Sequence, residues 1–166
     1  ARILEAGEGA ARRGIANVKR DVRVGLPTET EEDREAIVSL RREIQRRFVA
    51  GSRARRRIGT IGVSLSCFVP KAWTPFQWHP FLGVKELKKA LARLTREARK
   101  IPNVTVSHDQ PKWAYVQALL SRGDRRTADI LEAVHRLKGA WQPALRSSAV
   151  DPDFFVTRSR ERDELL

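Results

Sequence analysis

Apolar positions recur along the chain at two periods, and their alternation lays out the elements. Ile37, Leu40, Ile44 and Phe48 fall at helical spacing and predict a helix over residues 30–48. Thr30 stands at its start with Asp33 at the third position after it, an approximate capping box. Glu31, Glu32 and Asp33 complement the positive end of that helix. Val84, Leu87, Leu91, Leu94 and Ala98 predict a second helix over 84–100, followed by Pro102. A third helix is expected over 1–13, ended by Gly14 and weakened by Gly7 and Gly9, each costing about 1 kcal/mol against Ala. Further helices are expected at 111–121, with Pro111 at the tolerated first position, and at 125–138 on Ile130, Val134 and Leu137. Residues 140–166 read as a short helix and an irregular tail.

The period-two segments are fewer. Val18, Arg20, Val22 and Val24 share one face of a strand over 17–24, and Lys19, Asp21 and Arg23 share the other. A charged face suits an edge strand or one lining a polar cavity, not a strand buried on both sides. IGTIGVSLSCFVP, residues 58–70, is the strongest strand, and its near-continuous apolar character predicts burial on both faces. VTVSHD is a short extended segment. Between them KAWTPFQWHPF must be a loop, since its prolines with Pro70 preclude regular helix. Its aromatics, Trp73, Phe76, Trp78 and Phe81, need a place to pack, over a barrel end or as a lid. Strands separated by helices imply parallel pairing and an α/β fold. Two strands do not make a stable sheet of this kind, so neighbours are expected upstream.

Length and charge narrow the classes. The chain has 166 residues, one domain or a large piece of one. No apolar run approaches the roughly 20 residues that span a bilayer, so no membrane partner is expected. One cysteine, Cys67, excludes an internal disulfide, and the chain reads as reduced and cytoplasmic. The same count excludes a cysteine-ligated iron–sulfur cluster or Cys-rich zinc site built by these residues alone. His79, His108 and His135 lack a paired metal spacing. Net charge is +13, and 25 of the 33 basic residues are Arg. That balance favours polyanions, nucleic acid first, with a solvated helix surface as the plainer reading. The densest cluster is Arg41, Arg42, Arg46, Arg47, Arg53, Arg55, Arg56 and Arg57, opposed along the sequence only by Glu43. There is no Met, the chain begins within a helical pattern and it stops at DELL; both ends are expected to be cuts in a longer polypeptide.

Local chemistry is sparse. Ser107, His108 and Asp109 are consecutive, so their side chains diverge and cannot converge as a triad. A turn and helix cap is the expected role of His108 and Asp109. Cys67, inside an apolar strand, reads as an inert small hydrophobe. GLPTE at 25–29 is no phosphate loop: it lacks the second glycine and the lysine, and the carboxylates after it would repel phosphate. A cationic or neutral ligand fits that turn, and so does a plain strand-to-helix connection.

VGLPTETEEDREAI resembles the turn after the fifth strand of radical S-adenosylmethionine (SAM) enzymes, where GxPxET leads into an acidic helix. SLSCFVPKAWTPFQWHPF, SHDQPKWAYVQALLSRGDRR and DPDFFVTRSRERDELL are similar to a largely uncharacterised subfamily of iron–sulfur oxidoreductases in that superfamily, often with a cobalamin-binding-type domain upstream. The resemblance covers about residues 15–40 and 58–166. It implies the C-terminal part of a partial (β/α)6 barrel over 1–106 and a helical extension over 107–166. It also implies a 4Fe–4S cluster that cleaves SAM to a 5′-deoxyadenosyl radical, with cobalamin as a second cofactor where the upstream domain is present. Gly25, Leu26, Pro27, Thr28, Glu29 and Thr30 would then lie beside SAM, and Phe68, Val69 and Pro70 near its adenine. Glu29 would suit the sulfonium or orient the loop. The CxxxCxxC cluster motif is absent, and the strand before GLP, mostly apolar in relatives, reads VKRDVRV here. The cluster is therefore expected on residues outside this chain, and the chain alone is expected to be inactive. The alternative is a basic, non-catalytic module binding RNA or another polyanion through Arg41–Arg57, with RNA or a ribonucleoprotein as the possible partner.

Overall fold

The structure, a computed structural model, describes residues 2–53 and 58–161. It is a mixed α/β chain in two compact units, one of residues Ala1–Cys67 with Leu87–Asp109, the other of Phe68–Glu86 with Gln110–Leu166.

The first unit holds a parallel three-stranded sheet. Its elements are α1 (Arg2–Arg12), β1 (Asn17–Val24), α2 (Glu31–Ser52), β2 (Thr60–Cys67), most of α3 (Val84–Arg99) and β3 (Val104–His108), with sheet order β1-β2-β3. Val18 pairs with Ile61, and Ile61 with Val104, so the apolar positions of the three strands share one face. That face is the core side: Val24, Ile61, Val63, Leu65 and Cys67 are buried, with Ile44 and Phe48 of α2. Lys19, Asp21 and Arg23 on the opposite face of β1 are exposed, as expected for a strand with a charged side at the end of the described sheet.

Three expectations change. β2 is not buried on both faces: Ile61, Val63, Leu65 and Cys67 are buried, whereas Thr60, Gly62, Ser64 and Ser66 are half-buried. The second face carries little apolar area, so burying it gains little. The extended segment at 104–108 is a third strand. Too short to stand out in the sequence, it is ordered by the ladder that β2 offers. And α2 does not end near residue 48 but runs through Gly51 to Ser52. A Cβ at Gly51 would come within 2.8 Å of the Glu8 carbonyl oxygen, so this glycine lets α1 approach closely rather than ending the helix. Ser52 Oγ donates to the Phe48 carbonyl at 2.8 Å, which satisfies it inside the core.

The second unit has no strand among its described residues. It consists of the loop from Phe68, then α4 (Pro111–Arg122), α5 (Thr127–Arg136), α6 (Trp141–Ser147) and α7 (Pro152–Val156). Phe81, Leu119, Ile130, Ala144, Phe155 and Val156 form its core. The fixing element is Arg122, 1% exposed. Its Nε donates to the Phe155 carbonyl at 2.8 Å, Nη1 to the Gln77 carbonyl at 3.0 Å and to His79, and Nη2 to the Arg158 carbonyl at 2.6 Å. Phe81 N–H donates to the Val156 carbonyl and Arg160 N–H to that of Trp78, both at 3.0 Å. A loop without sheet or helix partners thus finds acceptors and donors in the segment after α7. Of the loop aromatics Phe81 is buried, but Trp73 is 91% exposed and Phe76 half open, so the expected packing of all four does not occur.

Candidate functional site

The GLPTET turn leaves the carboxyl end of β1. Gly25 has φ +88°, and Thr28 has φ +67°, a backbone state rare outside glycine. Glu29 closes the turn on itself. Its Oε2 accepts from the Gly25 and Leu26 N–H groups at 2.8 and 3.2 Å, and its Oε1 takes Arg34 Nε at 2.6 Å. The Glu29 side chain is 6% exposed, so this is a charge-assisted contact shielded from water. Burial pulls the Arg34 guanidinium down, but its bonds to Glu29 and then Glu31 outweigh this and hold it above its ordinary range. Of the two expected roles for Glu29, the geometry assigns loop orientation. Gly25 is buried, while Leu26, Thr28 and Thr30 are exposed and Pro27 half-buried.

The helix that follows starts as its sequence requires. Thr30 Oγ1 accepts from Asp33 N–H at 3.2 Å and Asp33 Oδ2 accepts from Thr30 N–H at 2.9 Å, a reciprocal capping box. Glu31 and Glu35 on the next turns pair with Arg93 of α3, at 2.7 Å for Glu35. The turn is therefore braced from its own helix and from α3.

Phe68, Val69 and Pro70 begin the second unit. Val69 and Pro70 are buried, and half-buried Phe68 meets Phe76 edge-to-face at 5.7 Å. In the ladder Val24 pairs with Cys67, so Gly25 and Phe68 each follow directly on the last paired residue of neighbouring parallel strands.

Asp109 is not a cap. Gln110 occupies the N-cap position of α4 and makes no side-chain cap bond, whereas Asp109 Oδ2 accepts from Cys67 N–H at 3.2 Å and Asp109 N–H donates to the Leu65 carbonyl at 2.9 Å. It extends the ladder where β2 ends. Cys67 is 3% exposed, and burial followed by the Asp109 charge pushes its thiol up to about 11, in line with an inert side chain. Among the described residues no group of three or more His, Cys, Asp and Glu is placed to hold a metal ion.

Among the described residues the arginine cluster does not form one surface. Arg41 is inside the first unit at 6% exposure. Arg47 pairs with Glu43 at 3.1 Å and with Glu8 of α1 at 3.9 Å, and Arg46 reaches Glu43 at 3.8 Å, so Glu43 is not the only opposing acid. Arg42 and Arg53 are exposed. Arg55, Arg56 and Arg57 lie outside the described residues. The burial of Arg41 was hidden in the sequence by its basic neighbours, although it sits one residue from Leu40 and three from Ile44 on the apolar side of the helix.

No protein-family model matches the chain. An uncharacterised protein of Methanocaldococcus jannaschii is 26% identical over 130 residues, covering 78% of this chain and 26% of that relative. The chain thus spans about a quarter of the length of the curated relative it matches. No solved structure matches. No described helix is long and apolar enough to cross a membrane.

Proposed function

We propose that these residues are the SAM-side and substrate-side portion of a radical SAM enzyme, the C-terminal part of a partial (β/α)6 barrel with a helical extension. The observation that supports the reading is the GLPTET turn: Gly25 at positive φ, closed by Glu29, at the carboxyl end of a parallel strand. In open parallel sheets that end is where ligands are bound. The length relation to the archaeal relative accords with a portion of a larger polypeptide.

The residues present fit part of the cofactor set. Gly25 carries no Cβ, and the exposed Leu26 and Thr28 side chains offer one apolar and one hydroxyl contact for a nucleoside-like ligand, the Thr30 hydroxyl being held by Asp33. Glu29 is engaged on both oxygens and does not meet the sulfonium. Its work is to hold Gly25 and Leu26 in place. Of Phe68, Val69 and Pro70, the last two are buried, and half-buried Phe68 alone has apolar surface to offer an adenine. The lone buried Cys67 does not fit a 4Fe–4S cluster, which belongs to residues elsewhere in the polypeptide. That cluster, when bound, supplies the electron that cleaves SAM. This chain's share is to orient SAM and keep water out, the division of labour usual for cofactor enzymes.

The test is SAM binding by the complete polypeptide, reconstituted anaerobically, with Gly25→Val and Glu29→Gln variants. A Cβ with branches at Gly25 is expected to weaken SAM at least tenfold, and loss of the Glu29 charge several-fold, with cluster absorbance unchanged. Equal SAM affinity in all three proteins would overturn the assignment of the turn. The alternative, an RNA-binding module through Arg41–Arg57, rests on the exposed Arg42 and Arg53 and on the undescribed Arg55–Arg57, and would show as binding that falls steeply with salt.

A further inference from the structure

The second unit carries an open hollow of about 300 Å³ between α4 and the turn that joins α5 to α6. Trp113 and Val116 line it from α4, and Trp141 and Pro143 from the start of α6. Two of the four tryptophans of the chain therefore share one hollow. Trp113 is 44% exposed and Trp141 is half-buried, while the core of this unit is built from other residues.

Lys112 and Gln142 supply the polar part of the wall. Lys112 Nζ sits 5.2 Å from the centre of the Trp113 ring and has no ion-pair partner among the described residues. No carboxylate lines the hollow. Two indoles are thus joined to an unneutralised cation, in a chain of net charge +13. That combination sorts the occupants. A cationic ligand would meet Lys112 with no counter-charge, although indole faces alone would attract it. A proline-rich segment would use the indoles but leave the ammonium without a partner. A planar ring joined to an anion uses both, the ring against indole and the anion against Lys112. Nucleic acid repeats that pairing of ring and anion at every unit.

We propose that this hollow receives an unpaired base of single-stranded nucleic acid, stacked on the indoles with its phosphate at Lys112. Every base has a π face, so such stacking tolerates any sequence, and it adds to a basic surface that tracks the backbone. Ligand pockets run from roughly 300 to 1,000 Å³, so this one suits a single base rather than a run of them. The site is separate from the GLPTET turn and from Arg41–Arg57: all of its lining residues belong to the second unit. The proposal stands whether or not SAM binds at the turn.

The experiment is fluorescence anisotropy of the complete polypeptide with end-labelled decaadenylate, an abasic ribose-phosphate decamer and decaproline. Decaadenylate is expected to bind roughly tenfold more tightly than the abasic decamer. Trp113→Ala is expected to weaken decaadenylate about tenfold and to leave the abasic decamer unchanged. Lys112→Ala should lower the salt slope of decaadenylate binding by about 0.7, one phosphate contact on a single strand. Equal affinity for the two decamers would overturn the proposal, since charge alone would then account for binding. Unchanged decaadenylate affinity in Trp113→Ala would overturn it too, as would tighter binding of decaproline. A matching urea midpoint for Trp113→Ala separates lost stacking from lost fold. If that variant does not fold, the ratio between the two decamers in the unaltered protein decides alone.

Discussion

The first unit buries Arg41 and the second buries Arg122 with Arg160, and Arg41 and Arg122 stand in opposite conditions. Arg122 of the second unit, 1% exposed, donates to the carbonyls of Gln77, His79, Phe155 and Arg158. Arg41 of the first unit, 6% exposed, donates to nothing among the described residues. A five-donor guanidinium is the one side chain able to gather several orphan carbonyls at once. The second unit needs that service because its loop and the segment after α7 have no ladder, whereas the parallel sheet of the first unit satisfies its own backbone. The lesson is that a buried charge reports what its surroundings lack. Around Arg122 the lack is donors for irregular backbone, and the arginine fills it. Around Arg41 the lack is any hydrogen-bond acceptor among the described residues.

The comparison breaks or sharpens under substitution. All four tryptophans, Trp73, Trp78, Trp113 and Trp141, lie in the second unit, so their fluorescence follows that unit, while Cys67 follows the first. Arg122→Leu strands several buried carbonyls and is expected to cost about 3–5 kcal/mol. The tryptophan unfolding transition should move to much lower denaturant, and Cys67 should stay protected at concentrations where the tryptophans have reported unfolding. An unmoved transition would mean the carbonyls have other donors. Arg41→Leu should act in the opposite direction, raising stability by about 1–3 kcal/mol, since an unpaired charge is replaced by apolar volume. A loss of stability there would show that Arg41 already has its partner. Thr30→Ala removes the capping box of α2 and should cost about 1 kcal/mol, measured by urea unfolding. The smallest effect concerns pH. Burial raises the Cys67 thiol from 9.0 to about 11, so folded protein at pH 8 carries about 100-fold less thiolate than unfolded chain. Reaction with a disulfide reagent should be slowed to match. The sign for stability follows: the neutral thiol is favoured in the fold, so this contribution is complete below pH 9 and lost as pH rises through about 11.

The sequence carried the helices and the two longer strands, because each repeats its apolar spacing over enough residues. Thr30 and Asp33 were readable as a cap for the same reason: both partners lie within one turn. What stayed hidden depends on distant residues. β3 is five residues long and exists through its pairing with β2. Gly51 looks like a helix stop until Glu8 is seen 2.8 Å from where its Cβ would be. Asp109 resembles a cap, yet bonds to Cys67, which is 42 residues away. In the candidate site the turn itself was legible, from Gly25 through the capping threonine. The engagement of Glu29 by two backbone N–H groups and Arg34 was not, since a carboxylate facing a ligand and one folded onto its own turn are spelled alike. Arg41 and Arg122 are spelled like any surface arginine, and only packing separates them from Arg42 and Arg125.

The central claim is that the GLPTET turn serves radical SAM chemistry. Its most direct test is an anaerobic assay for 5′-deoxyadenosine, using the complete polypeptide reconstituted with iron and sulfide and supplied with SAM and a reductant. The account predicts 5′-deoxyadenosine from the unaltered protein, at least tenfold less from Gly25→Val at equal cluster content, and none when cluster-binding cysteines outside this chain are replaced. A well-folded complete protein that takes up no cluster and forms no 5′-deoxyadenosine would contradict it.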